Sequence, residues 1–360
     1  MKFQFSGKKI TGILGIVPAN EKTFLEEMAN FNAPLSRSLK LKEIMGYDRH
    51  RIVDGNVCVS DLACFGLQYL FETDMLSRED FDALILVTSS PDYFVPPTSS
   101  VIHGRLGLKQ DMICLDINQG CTGFIIGLIQ SFLLLEQECI RKVVLINADV
   151  MSRKVSLKDR NSYPLIGDAA SITIIERSSD NTIIYANQKV DGTRHDALII
   201  PAGGFREPST PETAVMHEDS DGNFRSRDNL CMNGSSVFNF AQTEVPPMIE
   251  ELLEYAGVSK DSVDYYLFHQ PNKFMLQKLA DKLGIMHDKM PMNVVEHYGN
   301  SSGVTIPMAI TLNLKKKLCC ERVMACLSGF GVGLTWASLL MPLGPFDFCE
   351  TIEYPDTQQT

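Results

Sequence analysis

The feature that most constrains the fold of this chain is a weak internal repeat. Three segments of its first half resemble three segments of its second half in the same order, and the register is nearly kept. The paired segments are Asp82–Pro91 with Val263–Pro271, Met112–Gly123 with Met292–Gly303, and the segments that begin at Arg141 and Glu321. A true repeat would place the turns at Cys121 and Asn300 at equivalent strand-to-helix junctions near the centre of the molecule. Chance similarity among strand-turn-helix units is the alternative.

Strand-like runs alternate with helical runs, which predicts an α/β protein with largely buried strands. The expected strands are Ala83–Thr88, Met112–Ile117, Lys142–Asn147, Ser171–Ile175, Tyr265–Phe268, Met292–Val295 and Val323–Ser328, and the expected helices are Gly123–Gln137, Phe274–Leu283 and Thr305–Leu318. Because 360 residues exceed the size of one core, we expect two halves, 1–185 and 186–345, followed by a tail at 346–360.

Composition excludes several classes of function. A formal net charge of −11 argues against a nucleic-acid binder, which needs clustered Lys and Arg. No two of the ten cysteines form a CxxC pair, so we expect no metal site and a reducing, cytoplasmic setting. The longest apolar stretch, Phe124–Leu135, is shorter than the ~20 residues that a bilayer crossing requires, and it is expected to be a buried helix.

A long polar segment separates the two halves. Residues 190–229 are rich in Gly, Pro and charged side chains. A polar stretch of this length inside a compact chain is typical of a lid, an interface element or a mobile insertion, and a plain surface loop is an equally good interpretation.

Cys121 is the candidate nucleophile of the chain. It follows a predicted strand and directly precedes a long apolar helix, in the sequence NQGCTGF. The unpaired amides and positive dipole of a helix N-terminus favour a thiolate, so we expect a lowered pKa. Gly120 and Gly123 allow a tight turn at this point.

Two further residues complete a candidate set. His269 follows a predicted strand in LFHQPN, where its ring can project from the strand end, although a lone histidine is more often structural. Asn300 lies in the glycine-flanked turn HYGNSSG before an apolar helix, where it also fits a simple helix cap. The segment Ser328–Trp336, SGFGVGLTW, is best interpreted as a turn that supplies backbone amide donors.

These motifs resemble the 3-oxoacyl-[acyl-carrier-protein] synthase III family of condensing enzymes. GCTG, HQPN, GNSSG and GFGVGLTW occur in that family's order and approximate spacing, and Ile166–Ser171, IGDAAS, is similar to its GDG-type segment. The resemblance covers residues 84–340 and implies a thiolase-like five-layered α/β/α/β/α fold of two pseudo-symmetric halves. It also implies a homodimer, because the family's active sites lie beside the subunit interface.

The resemblance assigns a role to each candidate residue. Cys121 would take an acyl group from an acyl thioester, and His269 and Asn300 would bind the enolate formed when malonyl-acyl carrier protein loses carbon dioxide. The backbone amides of Cys121 and Val332 would bind the oxyanion. Asn272, Gly234 and Phe238 match the family's pantetheine tunnel. Acyl-coenzyme A or acyl carrier protein would therefore be a substrate or partner, with no permanently bound cofactor.

Some positions depart from the family pattern. Residues 40–46 carry no Trp, and Ile44 stands where the family has Arg, which argues against acetyl-coenzyme A as primer. Val332 replaces a usual Gly, so its backbone must avoid angles that only Gly adopts. An acidic carrier would need basic residues such as Lys273, Lys278 and Lys282 at the tunnel mouth.

Three other functions compete with condensation. An acyltransferase of the same fold would pass the acyl group from Cys121 to a small-molecule hydroxyl, amine or carbon in specialised metabolism. A papain-type protease also uses Cys, His and Asn in this order, but its cysteine lies near the mature N-terminus. A non-catalytic subunit of the same fold would be expected to have lost the nucleophile.

Overall fold

The computed structural model describes residues 1–31 and 34–355, and this part of the chain forms seventeen strands and nine α-helices. The strands are β1 (Lys2–Phe5), β2 (Lys8–Pro18), β3 (Glu21–Thr23), β4 (Arg49–Arg51), β5 (Ala83–Val87), β6 (Ile113–Ile117), β7 (Lys142–Asp149), β8 (Ala169–Arg177), β9 (Ile184–Val190), β10 (Leu198–Ile199), β11 (His217–Glu218), β12 (Phe224–Arg225), β13 (Cys231–Met232), β14 (Tyr265–Phe268), β15 (Val323–Gly331), β16 (Thr335–Leu343) and β17 (Phe348–Tyr354). The helices are α1 (Phe24–Glu27), α2 (Leu35–Met45), α3 (Val59–Glu72), α4 (Thr98–Leu106), α5 (Gly123–Leu134), α6 (Gly234–Ala256), α7 (Lys273–Leu283), α8 (Val294–Tyr298) and α9 (Thr305–Leu318).

Two large sheets share the same central topology. The first has the strand order β17-β2-β8-β7-β5-β6, and the second has the order β1-β9-β16-β15-β14. In the first sheet, β5 is parallel to β7, while β7 with β8 and β8 with β2 are antiparallel. The same directions recur along β14, β15, β16 and β9. The repeat predicted from the sequence is therefore a structural repeat.

The two sheets enclose a central helical layer. Phe124, Leu128 and Phe132 of α5 and Ile306 and Ile310 of α9 are completely buried in one apolar core with inward side chains of both sheets. Helices α3 and α4 cover the outer face of the first sheet, and α6 and α7 cover that of the second. The predicted five-layered α/β/α/β/α architecture is confirmed. It brings the N-terminal ends of α5 and α9 into the middle of the molecule.

One predicted strand is wrong. Met292–Val295 was expected to form the counterpart of β6, but the chain forms the short helix α8 there. Val295 packs in a cluster with Phe24, Tyr47 and Tyr163, so this segment is held by an apolar cluster outside the second sheet. Tertiary packing has overridden the strand preference of the β-branched pair Val294 and Val295.

The first strand of the chain pairs in the second sheet, and the last strand pairs in the first sheet. The residues 346–360 were predicted to form a tail, but β17 pairs parallel with β2 over Phe348–Tyr354, while residues 356–360 lie outside the described range. The opposite chain end, β1, pairs with β9 in the second sheet. The boundary between the two halves after residue 185 stays a prediction, and this position lies within β9.

The polar segment 190–229 lies against the loop that follows β7. The Asn223 side chain accepts a hydrogen bond from the backbone amide of Arg160 at 3.1 Å, and Arg225 forms an ion pair with Asp159 at 2.8 Å. Just after the segment, the backbone amide of Leu230 donates to the carbonyl of Lys154. Within this segment β11 and β12 form a small hairpin, and β10 pairs with β13 beyond it. The segment 190–229 therefore packs against the loop that follows β7. Across residues 1–31 and 34–355, no helix combines the length and apolarity that a bilayer crossing needs.

Neighbouring positions of α5 allow a test of the central layer. Phe132 is fully buried, with its ring centroid 5.3 Å from that of Phe5, whereas the adjacent Leu133 is 41% exposed. Phe132→Ala should lower the free energy of unfolding by about 3–5 kcal/mol because it leaves a cavity, whereas the control Leu133→Ala should cost less than about 1 kcal/mol. Urea denaturation measures both, and equal losses would contradict this assignment of the core.

Candidate active site

Cys121 lies in the turn between β6 and α5. Its neighbour Thr122 directly precedes the first helical residue, Gly123, so the thiol lies beside the unpaired amides of the helix N-terminus. The end of β15 covers the thiol from the second half of the molecule. A Cβ atom on Gly331 would lie 2.7 Å from Cys121 Cβ and 2.9 Å from Sγ. Only glycine permits this approach of β15 to the thiol.

Burial controls the ionisation of this thiol. Desolvation raises the pKa of Cys121 to about 11, although hydrogen bonds from the Ser302 hydroxyl and the backbone amide of Val332 act in the opposite direction. The expected lowering of the pKa by the helix N-terminus is therefore wrong in its net direction. The resting side chain is a thiol and needs a proton acceptor before it can attack.

The turn that contains Val332 follows β15. Gly331 and Gly333 have φ values of +156° and +137°, whereas Val332 is not among the residues with positive φ. A valine is thus compatible with the backbone at this position. The amides of Val332 and Cys121 both act on the thiol, which places two backbone donors beside the reacting sulfur.

His269 lies directly after β14 and is buried. Its backbone amide donates to the Ser328 carbonyl at 2.8 Å, and its ring packs edge-on against Phe330. Burial lowers the pKa of His269 to about 3, so the imidazole is neutral. Its Nδ1 is 2.7 Å from Oγ1 of Thr305, and this hydroxyl is also 2.9 Å from the Ser302 carbonyl oxygen.

The single hydroxyl proton of Thr305 couples to the tautomer of His269. When Thr305 donates to Nδ1, the imidazole carries its proton on Nε2 and can donate a hydrogen bond from there. When Thr305 donates to the Ser302 carbonyl, Nδ1 carries the proton and Nε2 is an acceptor. Rotation of one hydroxyl thus selects whether Nε2 donates or accepts.

Asn300 lies in the turn between α8 and α9. Its backbone carbonyl accepts the Gly167 amide at 3.2 Å, which ties this turn to the segment Ile166–Ser171. Its side-chain Oδ1 accepts the Ser302 amide at 2.9 Å. This bond closes a turn within residues 300–302 and is not the helix cap that the sequence also allowed, because Val304 directly precedes α9 and no side chain caps that helix. It leaves the two Nδ2 protons of Asn300 for another acceptor.

A cavity of about 310 Å³ extends from Cys121. Asn300 and Val332 line it beside Cys121, whereas His269 is buried and is not among the described residues that line it. The other wall residues are mainly apolar: Leu41, Met45, Leu165, Leu198, Leu230, Met232, Val237, Phe238, Phe274 and Met275. This volume lies at the small end of the range for ligand sites.

The three residues predicted to bind pantetheine all line this cavity. Gly234 begins α6, and Phe238 stacks on Phe274 with ring centroids 5.7 Å apart. Asn272 uses its Oδ1 to cap α7 through the Met275 amide at 2.8 Å. Asn272 therefore has a structural role as well, and whether these residues bind pantetheine stays a prediction.

Sequence reasoning missed four polar residues near the thiol. Tyr47 and Arg160 are buried in the cavity wall, and within the described residues the Tyr47 hydroxyl has no hydrogen-bond partner and Arg160 has no ion pair. The Ser302 hydroxyl lies 4.0 Å from the Cys121 sulfur, and the charge of Asp149 acts to raise the pKa of that thiol. Ser302 belongs to the GNSSG motif, which could have pointed to it. Tyr47, Arg160 and Asp149 belong to no local motif, because only long-range folding brings them to the site.

No group of three or more His, Cys, Asp or Glu side chains could hold a metal ion within residues 1–31 and 34–355. All ten cysteines are unpaired.

Comparison with known proteins agrees with this arrangement. The fold is similar to the crystal structure of a 3-oxoacyl-(acyl-carrier protein) synthase from Burkholderia xenovorans, with a TM-score of 0.91 and 33% identity, covering 98% of this chain and 99% of that one. Such a fold, with a cysteine at the centre of two repeated halves, defines a condensing enzyme of the thiolase class.

Sequence relatives identify the family. Residues 115–192 match the family described as 3-oxoacyl-[acyl-carrier-protein] synthase III, and residues 253–343 match its C-terminal counterpart. The beta-ketoacyl-[acyl-carrier-protein] synthase III of Lactococcus lactis is 30% identical over 93% of this chain and 99% of its own length. That of Clostridium acetobutylicum is 31% identical over 81% and 86%. The chain belongs to the 3-oxoacyl-[acyl-carrier-protein] synthase III family of acyl-transferring enzymes.

The contact between Gly331 and Cys121 can be tested directly. Gly331→Ala would place a methyl group 2.9 Å from the sulfur, where it must either shield the thiol or displace it. We expect slower labelling of Cys121 by a thiol reagent than in the wild type, read by peptide mass spectrometry. Gly104→Ala, in open space on α4, is the matched control. Equal labelling of the two variants would contradict the contact.

Proposed function

We propose that this chain forms carbon–carbon bonds by loading an acyl group on Cys121 and condensing it with the carbanion from malonyl-acyl carrier protein. The observation that carries this proposal is the position of Cys121. Its thiol lies just before α5 and lines an apolar cavity that Asn300 and Val332 also line.

The first step is acyl transfer. The sulfur of Cys121 attacks the carbonyl carbon of an acyl thioester, and the carrier thiol leaves. The carbonyl oxygen becomes an oxyanion, which the backbone amides of Cys121 and Val332 bind. These donors are held by α5 and by the glycines around Val332, so they need no rearrangement as charge develops.

The second step is decarboxylation of the malonyl group. Loss of carbon dioxide leaves an enolate, whose oxygen accepts hydrogen bonds from Nε2 of His269 and Nδ2 of Asn300. A neutral imidazole with its proton on Nε2 suits this role, and that tautomer forms when Thr305 donates to Nδ1. The enolate carbon then attacks the carbonyl of acyl-Cys121 and releases the thiol.

The residues that line the cavity indicate which acyl donor the site could accept. Leu41 and Met45 of α2 contribute apolar surface, Ile44 is 42% exposed, and Lys42 pairs with Asp48. This helix offers no aromatic side chain for stacking on a nucleotide base. We therefore favour a phosphopantetheine arm on an acyl carrier protein, with Asn272, Gly234 and Phe238 along its path, over acetyl-coenzyme A.

An acidic carrier needs positive charge at the mouth. Helix α7 carries Lys273, Lys278 and Lys282, of which Lys278 forms a long ion pair with Asp281 at 3.7 Å and lies over the Phe274 ring. Lys282 donates to the Gln242 carbonyl at 2.7 Å, which does not neutralise its charge. These lysines are the residues on which we expect the carrier to dock.

A second candidate function is acyl transfer from Cys121 to a hydroxyl, amine or other small-molecule carbon. The cavity wall favours it, because Tyr47 and Arg160 add polar groups to an otherwise apolar lining, where a small acceptor could bind. Only condensation releases carbon dioxide from a malonyl donor, so the two functions are separable by experiment.

The proposed assembly is a homodimer that works in the cytoplasm. Strand β6 pairs with β5 on one side only, and Ile113 and Leu115 on it are 40% and 38% exposed. Phe94 and Phe205 form a second apolar surface, 71% and 91% exposed, with ring centroids 5.4 Å apart. Pairing of β6 with a second copy would cover an edge that is otherwise prone to aggregation. Ten unpaired cysteines suit a reducing compartment.

Intact-protein mass spectrometry tests the proposed function. Wild type and Cys121→Ala are exposed to acyl-coenzyme A and acyl-carrier thioesters, and then to a malonyl carrier with detection of carbon dioxide. We expect acylation of the wild type alone, followed by discharge with release of carbon dioxide. Discharge only by an alcohol or amine would favour the second candidate, and absence of acylation from every donor would contradict the role of Cys121.

A further inference from the structure

His50 makes hydrogen bonds that tie separate segments of the first half together. Its ring is buried at the middle of β4 and lies edge-on to the Tyr163 ring, with ring centroids 5.4 Å apart. Its Nδ1 is 2.5 Å from the carbonyl oxygen of Ile166, and its Nε2 is 2.9 Å from Oε2 of Glu27, the last residue of α1. The imidazole therefore bridges α1 and the segment 165–167.

These bonds fix where the protons of the ring lie. A carbonyl oxygen can only accept, so Nδ1 carries a proton and donates it to Ile166. A proton also lies between Nε2 and the Glu27 carboxyl group, because two bare acceptors 2.9 Å apart would repel each other. Both side chains are buried, so removal of either one leaves the other with an unsatisfied polar group. The pair is a rigid support for the Ile166 carbonyl.

The segment 165–167 connects this support to Asn300. Its Leu165 carbonyl accepts the Asn300 amide at 2.5 Å, and its Gly167 amide donates to the Asn300 carbonyl at 3.2 Å. Consecutive peptide groups of extended backbone point to opposite edges, and the Ile166 carbonyl accordingly goes to His50. His50 and the Asn300 backbone thus bind opposite edges of the same short segment.

Close packing leaves no slack between these layers. A Cβ atom on Gly167 would lie 2.0 Å from the Tyr298 carbonyl oxygen. A Cβ atom on Gly299 would lie 2.8 Å from the Gly167 nitrogen and 2.9 Å from Cβ of His50. Gly299 also has a φ of +79°, which glycine adopts without strain. Because such packed layers transmit displacements, a shift of β4 would move the turn that contains Asn300.

We propose that His50, supported by Glu27, is a positioning residue that fixes Asn300 for decarboxylation of the malonyl group. In that step the bond from the methylene carbon to the carboxylate carbon breaks, its electron pair moves to the thioester oxygen as an enolate, and carbon dioxide leaves. The Nδ2 protons of Asn300 must point at that oxygen as its charge develops. This inference rests on the proposed role of Asn300 as an enolate donor.

Loading of the acyl group does not depend on His50. The proposed oxyanion donors, the amides of Cys121 and Val332, lie just before α5 and in the turn after β15. Within residues 1–31 and 34–355, the side-chain hydrogen bonds of His50 go to Glu27 and Ile166, which belong to neither element. The structure therefore separates the two steps of the proposed reaction, since His50 supports only the second.

The two steps can be measured separately. Intact-protein mass spectrometry follows acylation of Cys121 by an acyl-carrier thioester, and a single-turnover assay follows release of carbon dioxide from malonyl carrier by the acylated protein. His50→Phe keeps a ring against Tyr163 but removes both hydrogen bonds. We expect wild-type acylation but carbon dioxide release at least about tenfold slower, because a small misplacement of a donor is costly.

Variants of Glu27 grade the effect. Glu27→Gln retains a hydrogen-bonding partner for Nε2 of His50 and should keep the wild-type rates of both steps. Glu27→Ala removes that partner and should slow carbon dioxide release alone. If His50→Phe did not fold, this pair would decide the question, and equal carbon dioxide release by the two Glu27 variants would overturn the proposal.

His103→Phe is the matched control. The His103 ring also bonds a backbone carbonyl, that of Lys109 at 3.0 Å, but it lies on α4 and should leave both rates unchanged. If His50 served only the stability of the fold, His50→Phe would slow both steps together, in proportion to the unfolded fraction measured by urea denaturation. Equal losses in the two steps, or unchanged carbon dioxide release, would overturn the proposal.

Amide hydrogen exchange tests the support without any substrate. In His50→Phe we expect faster exchange in the peptides that contain Gly167 and Asn300, and wild-type exchange in α5. Unchanged exchange in the first two peptides would contradict support of the turn by His50. A wild-type protein that releases no carbon dioxide would refute the proposed function, and the exchange measurement would still show whether His50 holds the Asn300 turn.

Discussion

The chemistry of the candidate site depends on the close packing of one thiol against the backbone of the opposite half. Cys121 sits where the start of α5 meets the end of β15, and the backbone approach at Gly331 leaves no space for a side chain. Burial at this junction raises the pKa of the thiol to about 11, so the electrostatic benefit of the helix N-terminus is outweighed. The proposed mechanism assigns a donor to each charge that would develop near this thiol: backbone amides for an oxyanion, and the imidazole of His269 with the side-chain amide of Asn300 for an enolate.

The internal repeat explains why such a junction exists. Two sheets of equal central topology place α5 and α9 back to back, so the turn before each helix opens towards the same point. One turn supplies Cys121 and the other supplies Asn300 and Ser302. The first half thus brings the nucleophile and the second half brings donors, and neither sheet alone forms the cavity. The exchange of β1 and β17 between the sheets makes the two halves one folding unit.

Local patterns predicted much of this arrangement. The strand and helix periods located β5, β14, α7 and α9 within one residue, because their apolar faces are complete over a few turns. The glycine-flanked turns also pointed to Cys121 and Asn300, because a turn of this kind between a strand and a helix is visible in the local sequence. Local patterns could not show the effects of packing. Residues Val294 and Val295 of the predicted strand Met292–Val295 belong to a helix, and the predicted tail 346–360 includes the strand β17. The burial of Cys121 also reverses the expected direction of its pKa shift. Asp149 and Tyr47 belong to no motif, since they reach the site only through the fold.

The most direct test of the central claim, that Cys121 takes part in forming a carbon–carbon bond, is an isotope-connectivity measurement. The protein would be given an acyl thioester labelled with ¹³C at its carbonyl and a malonyl carrier labelled with ¹³C at its methylene carbon, and the product would be examined by NMR. The account predicts one-bond coupling between the two labels, which requires that they be adjacent in one molecule, and no such product from Cys121→Ala. Labels found in separate molecules, or an acyl carbonyl bonded to oxygen or nitrogen, would contradict it.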